Sequence, residues 1–477
     1  MSMNDVQALI PLMILAGAGV VLVMLSAFVP RRGVVAALAG VSAVAFLLAL
    51  LPYFGTQAVE VAELLVVDPL TLFFWTLLGI ATLVSLIWLM VTPVAEHDGG
   101  AERYGLMVLA ATGAMVLAAA QHFAALFLGL ELLSVSLIIL VAWQCRRALS
   151  IEAGLKYLVL SGLATGFLLF GMALIYAASG SLAFEITGRA HPAQVGELYW
   201  LAGMAMLLAG LVFKLSIVPL HFWTPDVYQG ASLPVTGFLA TVSKGAVLAV
   251  LVRLYFDMAL ADAGGLWMGL AVLAGASMLV GNWLALRQNQ LKRLLAYSSI
   301  AHMGYALAAL LAGGALALEA VVFYLAFYLA TTLGAFGVLA VLSRPQHECE
   351  RLDQLQGLYH HRPALALILT VMLFSLAGVP LTGGFIGKFY VLASGAASEL
   401  WTLMALVIAG SAIGLYYYLR VVLALFRAPA ETSSFRSATV PSTIVLVALT
   451  LVVLWLGLYP APLSDGLARI AELALPG

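Results

Sequence analysis

The sequence predicts an all-α polytopic membrane protein of fourteen transmembrane helices, and three observations carry that prediction. The 477-residue chain is 64% hydrophobic and 9% charged, against about a quarter charged in an average soluble domain. Cutting it into apolar runs of about 20 residues, the length that crosses a hydrocarbon core of roughly 30 Å, accounts for nearly all of it. The basic residues between these runs alternate from loop to loop, as a membrane topology demands. No stretch is left for a soluble domain, so residues 1–477 read as a single membrane domain.

The spans run over residues 6–30, 33–54, 69–94, 104–120, 122–143, 156–178, 198–230, 233–253, 266–285, 294–314, 317–343, 364–397, 400–426 and 438–460. The first lacks a basic leader and is followed by Arg31 and Arg32, which marks an uncleaved helix. Fifteen of the 21 Lys and Arg residues, among them Arg31, Arg147, Lys156, Lys292, Arg293, Arg420 and Arg436, fall in one set of alternate loops. The other set holds only Arg189, Arg253 and Arg469. Because basic residues stay on the cytoplasmic side of short loops, both termini are expected outside. A miscounted helix would have scrambled this asymmetry.

The formal net charge of −1 offers no basic arm for nucleic acid and no acidic tail for a basic partner. Cys145 and Cys349 form no CxxC and sit in no Cys/His cluster, which argues against zinc and iron–sulfur sites. Both lie at inner ends of spans, where thiols stay reduced. There is no GxGxxG after a strand and no GxxxxGK[ST], so a nucleotide site is not expected.

Once loop charges are assigned, the basic residues left inside spans are Lys214, Lys244 and Lys388. Glu131, in FAALFLGLELLSVSLIIL, is the acidic residue that lies mid-span, and His302, in SSIAHMGYALAALL, is the remaining ionisable group well inside a helix. Two spans are overlong and interrupted by proline: span seven contains KLSIVPLHFWTPDVYQG, with Pro219, and span twelve contains SLAGVPLTGGFIGKFY, with Pro380. They share the tripeptide VPL and are five spans apart. This suggests a five-helix unit, spans four to eight over 103–257, repeated as spans nine to thirteen over 266–427, with spans one to three (1–94) before it and span fourteen (438–462) after it. Five is odd, so the second copy is inverted, the architecture in which broken helices carry an ion site near the bilayer midplane.

A charge at the bilayer centre is expensive, and such residues face protein or water and carry function. Burial and a neighbour can move a lysine's proton affinity towards working pH, whereas arginine stays charged. Lysine at all three central positions, in a chain with 16 arginines and five lysines, favours titration over static charge. Plainer readings stand beside this one. Lys214 pairs structurally with Glu131, Lys388 satisfies backbone carbonyls freed by the adjacent break, and His302 is a hydrogen-bonded packing residue. Lys244 has no acidic partner within its own helix. His221 and Asp226 read as caps or mouth groups, Tyr416, Tyr417 and Tyr418 as packing, and Trp143, Trp200, Trp223, Trp267, Trp283 and Trp401 as interfacial anchors.

The stretches GLELLSVSL at 129–137, EAGLKYLVLSG at 152–162, PDVYQGASLPVTGFLATVSKGA at 225–246, LKRLLAYSSIAHMGY at 291–305 and GVPLTGGFIGKFYV at 378–391 closely resemble the antiporter-like subunits of bacterial NADH-quinone oxidoreductase, respiratory complex I, in their subunit N branch. The resemblance implies roles residue by residue. Glu131 matches the helix-five glutamate that partners the helix-seven lysine, here Lys214. Lys244 matches the central lysine of helix eight, and Lys388 the lysine of helix twelve towards the outer side. His302 falls on the polar helix-ten position joining the two half-channels. Subunit M carries glutamate at the helix-twelve position, and subunit L a long C-terminal extension with a lateral helix, so N is the better match. Ser232 departs from the usual PDVYQGAP; Pro234 remains.

The resemblance further implies a proton-translocating subunit of the bacterial inner membrane with its termini on the periplasmic side. Its expected partners are antiporter-like neighbours, small membrane subunits and lipid. It implies no catalytic, metal or cofactor residue in this chain; the parent complex uses NADH, flavin, iron–sulfur clusters and quinone. The alternatives are a subunit of a multisubunit cation/proton antiporter, a non-pumping membrane scaffold, and a solute symporter, for which the lysines offer little.

Overall fold

The computed structural model describes residues 3–29, 31–92, 100–189, 194–258, 260, 263–344, 348–428 and 438–474. Arg436 and the expected span ends at Pro30 and at 93–94 lie outside the described residues. Within them, thirteen helices are long and apolar enough to cross a membrane, the longest being Ala148–Ser179. Each expected span coincides with a helix or, for spans seven and twelve, with two. We number the helices as the spans.

Helix seven comprises Gln194–Leu215 and Trp223–Gly230, and helix twelve Pro363–Ala377 and Gly383–Ala397. Both first halves end in the same way. Ser216 N–H donates to the Phe213 carbonyl and Ile217 N–H to Val212, while Gly378 N–H donates to Ser375 and Val379 N–H to Phe374. This is the paired closure of a Schellman cap, whose C′ residue adopts the left-handed conformation. Ser216 (φ 66°) and Gly378 (φ 83°) occupy that position. Glycine takes it freely, whereas serine does so at a cost of about 1–2 kcal/mol, so the first break is held by its surroundings. The prolines beyond each cap, Pro219 and Pro380, cannot continue the helix.

Burial sorts the helices. Every residue in the apolar windows of helix eight (Leu233–Asp257) and helix eleven (Gly314–Leu342) is buried, as is 94% of helix ten (Leu291–Leu311). Helices one (Ile10–Phe28), six (Ala148–Ser179) and fourteen (Val440–Leu458) bury a third or less, so they form the rim. Where no hydrophobic force distinguishes protein from lipid, small residues let helix backbones approach. A methyl group added at Gly113 of helix four (Glu102–Ala119) would lie 2.7 Å from the Gly129 carbonyl oxygen of helix five (Phe123–Val141), and one at Gly129 would lie 3.0 Å from that of Gly113. Gly171 of helix six and Gly203 of helix seven are reciprocal in the same sense, at 2.6 and 2.7 Å. Helices nine (Gly264–Leu286) and ten cross at Gly281 and Gly304.

Helix eight contains one turn of π-helix, Leu239–Ser243, immediately before Lys244. Such turns insert one residue and cluster at functional sites. Thr241 Oγ1 donates to the Gly237 carbonyl at 2.6 Å across it. Three features carried no expectation from hydropathy: a small hairpin, β1 (Val59–Val61) with β2 (Leu65–Val67), the short helix Phe184–Arg189, and a final helix, Ala461–Ala474.

Three loop assignments are corrected. Arg103, expected in an inner loop, is buried in the first turn of helix four. Lys292, expected in an inner loop, is fully buried in the first turn of helix ten, paired with Glu348. Arg253, expected in an outer loop, is buried in the last turns of helix eight. Its Nη1 and Nη2 hydrogen-bond Asp68 at 3.1 and 2.7 Å. Hydropathy pushes any charge near the edge of an apolar run into a loop, and a compensated charge defeats it. Trp223 is also reassigned. It is buried against Tyr157, with ring centroids 4.9 Å apart, and donates its indole N–H to the Phe213 carbonyl at 2.9 Å, so it closes the break and does not anchor an interface.

Candidate functional site

Lys214, Lys244, His302 and Lys388 are all buried in the helical core, at 4%, 0%, 2% and 8% exposure. Glu131 is half-buried. Each is satisfied by neutral groups, which is how a buried polar group avoids its desolvation cost.

Lys214 Nζ donates to Ser134 Oγ of helix five and to Ser161 Oγ of helix six, both at 2.6 Å, and lies 5.4 Å from the centre of the Tyr157 ring. The Glu131 carboxylate accepts from Thr165 Oγ1 at 2.7 Å. Ser134 lies one turn from Glu131 on helix five, and Thr165 one turn from Ser161 on helix six. The expected pair is therefore not in contact here. Lys214 rests on hydroxyls of helices five and six, and Glu131 on one of helix six.

Lys244 Nζ donates to Ser299 Oγ of helix ten at 2.7 Å and lies 5.8 Å from the centre of the Tyr228 ring. Ser299 also bonds Tyr328 Oη at 2.7 Å. His302, one turn further along helix ten, shares Nδ1 with Tyr324 Oη at 2.7 Å and Nε2 with Tyr418 Oη at 3.3 Å. Its ring centroid is 5.3 Å from that of Tyr328. Lys388 reaches back across the break in helix twelve, donating to the Ala377 and Leu376 carbonyls at 2.8 and 3.2 Å, and lies 5.3 Å from the Tyr305 ring centre. Those carbonyls belong to the end of a helix, where no following amide N–H donates to them.

The fold thus brings Lys244, His302 and Lys388 into one aromatic-lined core, with Lys214 and Glu131 held between helices five, six and seven. Sequence reasoning missed Ser134, Ser161, Thr165, Ser299 and the tyrosines 228, 305, 324 and 328. It also assigned Tyr418 to packing, although Tyr418 hydrogen-bonds both Ser298 and His302. Spacing held the signal that could have found them: Tyr324 and Tyr328 are one turn apart in a largely apolar helix, as are Ser298 and His302 in helix ten.

A polar mouth lies beside the second half of helix seven. Asp226 accepts from Lys156 at 2.6 Å and from Arg293 at 2.7 Å, which makes it an ion-pair centre. His221 stacks on Phe222 at 4.6 Å. Next to them, Lys292 pairs with Glu348 and donates to the Ala231 carbonyl at 2.7 Å, while Glu348 accepts from Leu233 N–H at 3.3 Å and lies 3.6 Å from Arg147. Among the described residues, no group of three or more His, Cys, Asp or Glu is placed to hold a metal ion.

A polytopic helical membrane protein with broken helices and buried lysines on neutral partners is the antiporter type of transport subunit. Residues 120–414 match the family described as NADH:quinone oxidoreductase/Mrp antiporter, transmembrane, and the chain belongs to that family. It is 45% identical over 98% of its length, and 97% of the relative's, to NADH-quinone oxidoreductase subunit N of Ectopseudomonas mendocina (strain ymp). Among solved structures it resembles a chain of respiratory complex I from Thermus thermophilus with bound aureothin, at 35% identity and TM-score 0.84, covering 96% of this chain and 99% of that one. The fold recurs in a chain of the Mrp complex of Dietzia sp. DQ12-45-1b, at 20% identity and TM-score 0.86, covering 99% of this chain and 97% of that one.

Proposed function

We infer that the chain is a proton-translocating membrane subunit of a bacterial NADH-quinone oxidoreductase, carrying no redox centre itself and driven by quinone reduction elsewhere in the complex. The observation that carries this reading is the placement of Lys244, His302 and Lys388 in one buried core on neutral hydroxyl, phenol and carbonyl partners. Three central basic groups without a carboxylate in contact are poorly suited to locking helices together and well suited to exchanging protons.

In the proposed path a proton enters at the mouth beside helix seven and loads Lys244. Ser299 and Tyr328 hydroxyls lead from there towards His302, which hands it to Lys388 by way of the Tyr324 and Tyr305 phenols. Glu131 and Lys214 act as the switch. Drawn together, the lysine charge is neutralised; apart, as here, it adds a positive field at Lys244, and a like charge lowers proton affinity without contact. The similar caps of helices seven and twelve and the glycine crossings of helices four with five and nine with ten support an inverted repeat of spans four to eight and nine to thirteen. The proposed orientation places both termini outside the inner membrane, and the partners are neighbouring antiporter-like and small membrane subunits.

The test is Lys244→Ala in the assembled complex, with NADH oxidation and proton uptake measured together. Pumping by this subunit should be lost while the complex still assembles. Pumping at the parent ratio would sink the relay, and loss of assembly in both Lys244→Ala and Lys244→Met would favour a scaffold. Sodium-dependent transport would instead favour a cation/proton antiporter.

A further inference from the structure

Away from the lysine core, a cleft of about 290 Å³ opens where the end of helix thirteen (Trp401–Phe426) meets the segment 351–356. Arg351, Arg420 and Arg427 line it, with Asp353 as its acidic group and Leu352 and Ala424 as apolar wall. The charges do not cancel. Asp353 is taken by Arg351, whose Nε donates to both its carboxylate oxygens at 3.1 and 3.2 Å. The Arg427 guanidinium makes no hydrogen bond or ion pair among the described residues. Arg420 is half-buried; its Nη1 and Nη2 donate to the carbonyls of Leu286 and Gln288, and its Nε–H is buried without a partner. Two guanidinium groups therefore lack an acidic partner inside a concave site.

Placement narrows what would fill it. The cleft lies at the terminus of a membrane-spanning helix, the part of such a helix that meets lipid headgroups. The same helix exposes Tyr416, Leu419, Leu423 and Phe426 over its last turns, apolar surface interleaved with the two arginines. Guanidinium matches a phosphate oxygen pair in geometry and charge, and basic pockets between transmembrane helices bind anionic lipid headgroups.

We propose that this cleft is a binding site for an anionic phospholipid, its phosphate held by Arg420 and Arg427 and an acyl chain lying along Leu419, Leu423 and Phe426. The proposal rests on the membrane-spanning reading and is independent of the proton relay. The site serves the lipid boundary of helix thirteen, not the lysine core.

The experiment uses the assembled complex in phosphatidylcholine vesicles containing a headgroup-photoreactive phosphatidylglycerol, with cross-linked peptides mapped by mass spectrometry. Peptides covering 351–356 and 420–427 should label. Unlabelled phosphatidylglycerol should compete, and inorganic phosphate and extra phosphatidylcholine should not. Arg420→Gln with Arg427→Gln should cut labelling about tenfold or more. Arg427→Gln alone, at an exposed position that leaves helix packing untouched, should cut it severalfold and covers the case in which the double variant does not assemble. Competition by inorganic phosphate as strong as by lipid would reassign the site to a free anion and overturn the proposal. Equal competition by phosphatidylcholine, unchanged labelling in the Arg427 variant, or no labelling of these peptides, as when an acidic partner covers the cleft, would each overturn it too.

Discussion

At the scale of single residues, charge was legible and its company was not. A lysine or glutamate within an apolar run is a one-letter signal, so Glu131, Lys214, Lys244 and Lys388 stood out. Apart from the backbone carbonyls under Lys388, their partners are serine, threonine and tyrosine, types that occur throughout the chain, 17 tyrosines among them, and only the fold selects which few face a lysine. The two cysteines make a residue-scale prediction. Cys349 is buried, and that burial, with Glu350 and Asp353 nearby, pushes its thiol up to about 12. The thiolate is the reactive form, so Cys349 should resist maleimide from pH 7 to 9 in the native complex and react after denaturation. Cys145 is exposed and should label under native conditions; rapid native labelling of Cys349 would contradict the buried segment around it. At Asp68, burial pushes the carboxyl up, but Arg253 and Thr71 more than offset this and hold it below the ordinary value. The sign follows. A depressed carboxyl contributes stability that is present above its unfolded value and lost as pH falls through its folded one.

At the scale of elements, the breaks in helices seven and twelve were legible because proline and length announce them. The π turn before Lys244 was not, since one inserted residue leaves no trace in composition. Neither was the ion cluster that ties helix ten to the start of helix eight, because Lys292 and Glu348 lie at the ragged ends of apolar runs. That cluster carries its own prediction. Lys292→Met takes from Glu348 its nearest cation, leaving Arg147 at 3.6 Å, and should cost up to about 3–5 kcal/mol, whereas removing both charges together, Lys292→Met with Glu348→Met, should recover much of the loss. The yield and melting temperature of the complex report it. Additive losses in the double variant would show that the two residues act separately.

For the whole molecule, the all-α layout and nearly every span followed from hydropathy alone, since crossing a bilayer admits few solutions. The proposed orientation rests on the basic loops. Cys145, between helices five and six, is a native reporter: a membrane-impermeant maleimide should reach it in inside-out vesicles and not in right-side-out cells. The opposite result would invert the topology and, with it, the direction of the proposed relay.

The glycine crossings have a kinematic consequence. Helices four and five are locked at Gly113 and Gly129, and helix six is locked to the first half of helix seven at Gly171 and Gly203, so each pair moves as one body. Lys214, Ser161 and Thr165 ride on the second body; Glu131 and Ser134 ride on the first. The bonds Lys214–Ser134 and Glu131–Thr165 cross the seam at the charged site, as Ser150–Val141 does at its end, and a slide of a few ångströms along it would exchange both partners of the charged pair at once. A disulfide between Ser134→Cys and Ser161→Cys, whose native hydroxyls share one ammonium group, should pin the seam. Pumping should stall on oxidation and return on reduction, and a double variant that pumps equally well in both states would place the moving joint elsewhere.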